Sequence, residues 1–290
     1  MMKILDFNCL APEEFLNRDI RAEEDVSAAV DGILREVRTR GDAALRDYTR
    51  RFDGAELKDL QVTAAEFSAA REAVDPCFLE TLRQAAENIR RFHERQKHND
   101  FLLAEGSGVV MGQRWTPIER VGICVPRSPE AFPSTILMSA IPAQIAGVED
   151  IVIVTPPRKD GTVSPEALVA AELAEVTKVF KIGGAQAVAA LACGTETVPR
   201  VDKIVGPGGI YVATAKRKVF GQVDIDMIAG PSEILVLADG KTDPKWAAAD
   251  LLSQAEHDVL ASAVLVTDSR ELAEAVRAEI EVQLEVLPRK

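Results

Sequence analysis

The feature that most constrains the fold is an alternation of short apolar segments with helical segments between residues 121 and 220. The segment at 150–155 reads DIVIVT, and its apolar run is typical of a strand that is buried on both faces of a sheet. Strands that alternate with helices in this way predict a parallel sheet with crossover helices. The predicted strands lie at 121–125, 150–155, 178–182 and 202–205, and the predicted helices at 135–147, 164–176, 185–193 and 210–220. We therefore predict an α/β fold with a Rossmann-like parallel sheet domain at 109–230.

The segments on either side of this domain predict a different organisation. Residues 1–21 show little helical periodicity and are expected to form an N-terminal arm. Apolar residues then recur at helical spacing as far as about residue 51, with a break at Gly41-Asp42, and predict long amphipathic helices. Residues 231–290 predict two strands and two helices, which make a poor sheet on their own. The long N-terminal helices are candidates to pack on this incomplete α/β unit.

Charge and cysteine content exclude several classes of function. The net charge of −12 argues against a nucleic-acid partner held by phosphate contacts. No run of about 18 apolar residues occurs, so no membrane-spanning helix is expected, and the N-terminal MMKILDFN lacks the apolar core of a signal peptide. The cysteines are scattered without CxxC spacing and indicate reduced thiols, so we expect a cytoplasmic protein.

A candidate metal site lies at the end of a predicted helix in the sequence DLLSQAEH. Asp243 is a candidate cap for this helix, and Pro244 occupies its first position. Gln254 and His257 are three residues apart and therefore share one face of the helix. An amide oxygen and an imidazole suit zinc, but a catalytic zinc usually has three protein ligands. Spacing alone equally allows a helix end whose Gln and His serve in capping or packing.

Two glycine-rich turns lie at the predicted carboxyl ends of strands, where parallel sheets bind ligands. One is Gly183-Gly184, just before Gln186, and the other is GPGG at 206–209. Glycine lets the backbone approach a phosphate, and the following helix supplies free N–H groups. However, Tyr211 occupies the third glycine position of the dinucleotide fingerprint, although Asp226 follows the first glycine at a suitable distance. The alternative is that these glycines only form tight turns.

Four longer segments resemble the histidinol dehydrogenase family, and they occur in the same order along nearly the whole chain. They are RGDAALRDYTRRFDG from residue 40, KIGGAQAVAAL from 181, VDKIVGPGGIYVATAKR from 201 and AGPSEILVL from 229, together with SQAEH. The resemblance implies zinc-dependent, NAD-linked oxidation of L-histidinol to L-histidine through histidinal. It also implies a homodimer, and a single domain made of residues 22–108 and 231–290 into which the nucleotide domain is inserted.

The resemblance also implies roles for individual residues. Gln254 and His257 are implied as zinc ligands that also contact the substrate, and Ser232 faces the substrate. The implied NAD contacts come from Gln186 and from two positions where this chain departs from the family. These are Cys124, where a tyrosine is usual, and Gly209, where an asparagine is expected.

The resemblance places further chemistry beyond residue 290. The family's general acid–base pair, a glutamate and a histidine, and the two other zinc ligands are expected beyond Lys290, so no catalytic residue is assigned within this chain. We therefore predict that the 290-residue chain alone has little activity and dimerises weakly.

Departures from the family pattern leave two other interpretations open. Cys124 and Gly209 replace two expected NAD contacts, and the loop that follows carries Arg127-Ser128-Pro129 where a glycine pair is common. One alternative is a non-catalytic relative that keeps the fold and binds a small ligand or a protein partner. The other is a related dehydrogenase with altered specificity or cofactor use.

Overall fold

The chain divides into two units, each with hydrophobic cores of its own. This computed structural model describes residues 2–6, 21–126, 132–228, 232–256 and 261–287. The larger unit contains residues 21–229, and the smaller unit combines residues 1–20 with residues 230–290. Two clusters of buried apolar residues belong to the larger unit, and a third belongs to the smaller one.

The larger unit begins with four helices and a β-hairpin. The helices are α1 (Arg21–Arg40), α2 (Asp42–Asp53), α3 (Ala64–Ala73) and α4 (Pro76–His93). The hairpin pairs β1 (Phe101–Ala104) with β2 (Val110–Gln113) in an antiparallel arrangement. The predicted break between the first two helices is confirmed: Gly41 adopts a φ of 51°, a conformation that glycine reaches without strain.

A five-stranded parallel sheet forms the centre of the larger unit. Its strands are β3 (Arg120–Cys124), β4 (Asp150–Val154), β5 (Lys178–Phe180), β6 (Lys203–Val205) and β7 (Asp224–Ile225). The connecting helices are α5 (Pro133–Ala146), α6 (Pro165–Leu173), α7 (Gly184–Cys193) and α8 (Ile210–Val219). The strands lie in the order β5-β4-β3-β6-β7, and every neighbouring pair is parallel. The predicted α/β fold with a parallel sheet is therefore confirmed.

The N-terminal helices belong to the layers that cover this sheet. Helix α1 buries Val30, Ile33 and Val37 in one cluster with sheet residues such as Val152. Helices α3 and α4 bury Phe67 and Leu82 in the other cluster, which contains β3 and β4 residues. This grouping differs from the predicted domain of residues 22–108 with 231–290, because the apolar stripes of these helices cover the sheet of the 109–230 segment.

The segment between α2 and α3 extends the sheet beyond its β5 edge. Gln61 forms an isolated antiparallel bridge with Phe180. On either side, the N–H of Val62 donates to the Val179 carbonyl at 2.8 Å, and the Lys181 N–H donates to the Leu60 carbonyl at 2.7 Å. The edge strand is thus paired with this short segment, which occupies hydrogen-bonding groups that an open edge would expose.

The smaller unit has one layer of helices on a two-stranded parallel sheet. Strand β8 (Glu233–Leu237) pairs with β9 (Ser262–Val266), and helices α9 (Pro244–Ala255) and α10 (Arg270–Leu284) pack against them. The predicted cap is confirmed, because the Asp243 carboxylate accepts from the Lys245 N–H at 2.9 Å. Of the predicted arm, Met2 packs on this core. Within the described ranges, no helix has both the length and the apolar character needed to cross a membrane.

A network of ion pairs joins the first residues of neighbouring strands at the amino-terminal edge of the central sheet. The Asp150 carboxylate, at the start of β4, accepts from Arg120 Nε at 2.5 Å and from Lys178 Nζ at 2.8 Å. Burial alone would raise the pKa of Asp150, but the hydrogen bonds from Lys178 and Arg120 hold it below its ordinary value of 3.8. Because the pKa is lowered in the folded state, the network stabilises the fold fully above about pH 4, and this contribution is lost as the pH falls below that value through the lowered pKa of Asp150.

We expect Asp150→Asn to lower the free energy of unfolding near neutral pH by about 1 kcal/mol. The variant should also show a shallower loss of stability below pH 4 than the unchanged protein does, because the titrating carboxylate is gone. Urea unfolding between pH 3 and pH 7 measures both effects. Glu149→Gln removes a charge from the adjacent exposed residue and serves as the control. Identical pH profiles of stability for Asp150→Asn and the unchanged protein would contradict a stabilising role for the Asp150 ion pairs.

Candidate functional site

The carboxyl edge of the central sheet contains a topological switch point. From β3 the chain continues to β4 and β5 on one side, and then returns to β6 and β7 on the other. The connections that leave β3 and β6 therefore diverge. Open parallel sheets bind ligands in the crevice that forms at such a point. Cys124, the last residue of β3, and the 206–209 turn, which follows β6, lie at this switch point.

Cys124 is buried under the switch point. Its side chain belongs to the hydrophobic cluster that includes Ile204 and Ala215, and the residue is only 5% exposed. Burial raises the pKa of the Cys124 thiol to about 12. The thiol is therefore protonated at neutral pH and is unsuited to act as a nucleophile.

The two ends of the 206–209 turn differ in how much space surrounds the backbone. Gly206 lies close to the end of β3, and Gly209 has open space around its Cα. Gly206 has a φ of +104°, and a Cβ added to it would lie 2.2 Å from the Cys124 carbonyl oxygen. Gly209, the N-cap of α8, has a φ of −65°, and no atom of the described residues lies within 4 Å of an added Cβ. Gly206 is thus required by the local geometry, whereas position 209 can accept a side chain.

An ion pair under the turn is a feature that the sequence analysis missed. Lys216 Nζ donates to the Gly206 carbonyl at 3.0 Å and pairs with the Asp226 carboxylate. The other carboxylate oxygen of Asp226 accepts from the Gly206 N–H at 2.8 Å. The sequence does indicate that Lys216 is buried, because it lies on the same helix face as the apolar residues Val212 and Val219. Asp226, noted for its distance from the first glycine, holds this turn.

The second glycine turn leads into α7 at the carboxyl end of β5. Gly183 is the N-cap, and a Cβ added there would lie 2.1 Å from Pro156 Cγ. Gly184 has a φ of +66°, which suits glycine. Gln186 follows in the first turn of α7 and is 2% exposed. The structure thus places Gln186 at the carboxyl edge of the sheet, in the same unit as Cys124 and Gly209.

The remaining candidates lie in the smaller unit. Ser232 immediately precedes β8 and is exposed. Gln254 lies in the last turn of α9, and its amide Nε2 is buried with no hydrogen-bond partner among the described residues. His257, the other candidate zinc ligand, lies outside the described residues, as does Arg127. Within the part of the chain that the structure describes, no three His, Cys, Asp or Glu residues form a metal-binding cluster.

The unpaired atom of Gln254 is the amide nitrogen, which donates hydrogen bonds, whereas a glutamine that binds zinc does so through its amide oxygen. A buried polar group without a partner costs about 1–3 kcal/mol, so such groups are rare unless they serve a function. Amide oxygen and imidazole nitrogen are both suitable donors for zinc. Gln254 and His257 therefore fit part of a zinc site, which needs further ligands to be complete.

Comparisons with known proteins identify the family. The histidinol dehydrogenase family model matches residues 16–290. A histidinol dehydrogenase of Listeria monocytogenes is 52% identical over 291 residues, which cover 100% of this chain and 68% of the relative. One of Geobacillus kaustophilus is 57% identical over 267 residues, which cover 92% of this chain and 63% of the relative.

A solved structure agrees with these matches. The crystal structure of histidinol dehydrogenase from Elizabethkingia anophelis superposes with a TM-score of 0.86 at 38% identity, covering 96% of this chain and 64% of that one. The chain thus spans about two thirds of the length of the relatives it matches. The match extends along nearly the whole sequence at high identity, and the fold agrees. The chain therefore belongs to the histidinol dehydrogenase family.

Proposed function

We propose that this protein takes part in the oxidation of L-histidinol to L-histidine through histidinal, with zinc and NAD as cofactors. The observation that carries the proposal is the match to the family model over residues 16–290, a range that contains an amide oxygen donor at Gln254 and an imidazole three residues later at His257. Its scattered cysteines also favour a cytoplasmic enzyme. A homodimer, as the family resemblance implies, would cover apolar residues such as Leu102 and Val110 that are exposed on the β1–β2 hairpin.

Zinc and substrate would be held by residues of the smaller unit. Gln254 and His257 would supply an amide oxygen and an imidazole nitrogen to the metal. When bound, zinc provides a Lewis acid that anchors the imidazole and amino groups of L-histidinol. The exposed hydroxyl of Ser232, at the start of β8, is available to bind the polar end of the substrate. These residues bind and orient, and the resemblance implies a glutamate–histidine pair further along than Lys290 as the acid–base catalyst.

NAD would bind at the carboxyl edge of the central sheet. Gln186 and the backbone of the 206–209 turn would contact the dinucleotide, and the N-terminus of α8 favours a negative charge. Cys124 is buried, so we infer that this position packs beneath the cofactor. A tyrosine hydroxyl could hydrogen-bond to NAD there, whereas the thiol that replaces it is shorter and only a weak donor. In this chain, NAD would therefore be held by backbone groups more than the family pattern implies.

Binding of L-histidinol in the presence and absence of zinc tests the proposal. The protein, expressed from its complete gene, is stripped of metal, and its affinity for L-histidinol is measured by calorimetry before and after zinc is restored. We expect L-histidinol to bind tightly only when zinc is present. Equal affinity in the two states, or no binding in either, would contradict the proposed substrate and metal. Zinc-dependent binding of L-histidinol without any NADH binding would favour the non-catalytic alternative, which Cys124 and Gly209 suggest.

Restoring the family's asparagine tests the proposed NAD contact at position 209. Gly209→Asn adds an amide in open space at a backbone conformation that asparagine readily adopts. One additional hydrogen bond contributes about 1 kcal/mol, so the Kd for NADH should fall about fivefold. Gly209→Ala, which adds a Cβ without an amide, is the matched control. If the alanine and asparagine variants bind NADH equally well, position 209 makes no such contact.

A further inference from the structure

The Lys216–Asp226 ion pair holds both backbone polar groups of a single residue. Lys216 Nζ donates to the Gly206 carbonyl, and an Asp226 oxygen accepts from the Gly206 N–H. The two side chains also pair with each other, and Asp226 accepts a further hydrogen bond from the Met227 N–H at 2.6 Å. Gly206, whose φ of +104° is unusual for other residues, is therefore fixed from two sides.

Stability alone is a poor explanation for this pair. The Lys216 side chain is 1% exposed and that of Asp226 is 31% exposed, so forming the pair removes the ammonium group from water, a cost that a surface pair largely avoids. Replacing a buried ion pair by apolar residues is often neutral or stabilising. Helix α8 already buries Val219 and Ala215 on the same side, so an apolar side chain at position 216 would suit the core. Unlike an apolar residue at position 216, the charged pair holds the backbone of Gly206 in one geometry.

Gly206, the residue that the ion pair holds, is the first residue of the 206–209 turn at the switch point of the sheet. The turn is Gly206-Pro207-Gly208-Gly209: three of these residues have no side chain, and the ring of Pro207 has no hydrogen-bonding atom. Hydrogen bonds from this turn to a ligand must therefore come from its backbone, whose position depends on how firmly Gly206 is held. Preorganised backbone donors bind better because less reorganisation accompanies binding.

We propose that Lys216 and Asp226 are positioning residues for the cofactor: they hold the 206–209 turn in the shape that accepts the dinucleotide of NAD. The pair acts through the backbone of Gly206 and not by touching the cofactor. This inference rests on the proposed function, in which NAD binds at the carboxyl edge of the central sheet.

Replacing Lys216 by methionine tests the proposal. Lys216→Met keeps the length and the apolar stem of the side chain and removes its charge. We expect the Kd for NADH to rise about tenfold, the size of effect that one charge-assisted hydrogen bond produces. The KM for NAD+ should rise in parallel, while the KM for L-histidinol stays unchanged. Lys218→Met is the matched control on the same helix: Lys218 pairs with Asp31 at 2.8 Å, near the surface.

Asp226→Asn provides a second variant in case the first does not fold. It keeps the size of the side chain and an oxygen for the Gly206 N–H, but it loses the charge that pairs with Lys216. Hydrogen exchange of the Gly206 amide in the folded variant should be faster than in the unchanged protein. A folded variant of either residue that binds NADH with the original Kd would overturn the positioning role. Equal losses in Lys218→Met would also overturn it, because the effect would then not belong to this pair.

The same measurements separate this inference from the proposed function. If the unchanged protein does not bind NADH, the proposed cofactor is contradicted, and the positioning role falls with it. If the unchanged protein binds NADH and Lys216→Met binds it equally well, the cofactor assignment stands and only the positioning role is overturned.

Discussion

Replacing Gln254 by alanine should lower the affinity of the protein for zinc by about a hundredfold or more, because even residues that only support metal ligands contribute about 10–100-fold. In the zinc-free protein the same change should leave the free energy of unfolding unchanged or raise it by about 1 kcal/mol, since it removes a buried amide nitrogen that has no partner among the described residues. A purely structural glutamine would behave in the opposite way: its loss would destabilise the protein and leave zinc affinity unaffected.

Zinc titration with a competing chelator and urea unfolding measure these two effects in parallel. Ser253→Ala is the control on the adjacent residue, whose hydroxyl donates to the Asp250 carbonyl at 2.7 Å and is exposed. Retention of the original zinc affinity by Gln254→Ala would remove this residue from the metal site.

Gly206→Ala should destabilise the larger unit by about 3 kcal/mol, a cost that combines an unfavourable φ with overpacking. The added Cβ would lie 2.2 Å from the Cys124 carbonyl oxygen, which is backbone and cannot turn aside as a side chain can. Either the turn or the end of β3 must therefore move. The Lys216–Asp226 pair would then lose the geometry on which its bonds to Gly206 depend.

Gly209→Ala provides the comparison within the same turn. Position 209 has an ordinary φ and open space, so we expect a loss below about 1 kcal/mol, the usual range for alanine at an N-cap. Urea unfolding followed by circular dichroism compares the two variants. Similar losses for positions 206 and 209 would mean that the close approach of Gly206 to β3 is not what constrains the turn.

The central sheet could be predicted from the sequence because its strands carry their own signature. Residues 151–154 read IVIV, and all four are buried in the structure. Such a run fits a parallel strand that is covered on both faces. The intervening helices have the length of crossover connections, so the order of elements along the chain already specified the class of fold.

The packing partners of the N-terminal helices could not be predicted in the same way. The stripe formed by Val30, Ile33 and Val37 identifies a helix with one buried face, but it carries no information about the surface that it covers. The segment around Gln61 has no periodic pattern, yet it pairs with the edge of β5. Long-range packing, and not local propensity, determines both features.

The sequence could predict which residues belong to the candidate site, but it could not predict how they are arranged. SQAEH pointed to Gln254, and the glycine-rich turns pointed to the carboxyl edge of the sheet. That Gln254 has an unpaired buried amide, and that Cys124 is buried, depends on tertiary packing. The role of Asp226 was equally hidden, because its partner Lys216 lies on a different element and only the fold brings the two side chains together beside Gly206.

The measurement that tests the central claim most directly follows L-histidinol, L-histidine and NADH together, in protein expressed from its complete gene. Oxidation of an alcohol to a carboxylic acid removes four electrons, and each NAD+ accepts two. We predict that two NADH form for each L-histidine, and that formation of both stops when zinc is chelated and resumes when zinc is restored. Formation of L-histidine that is insensitive to chelation, or no consumption of L-histidinol by protein that binds both zinc and NADH, would contradict the account.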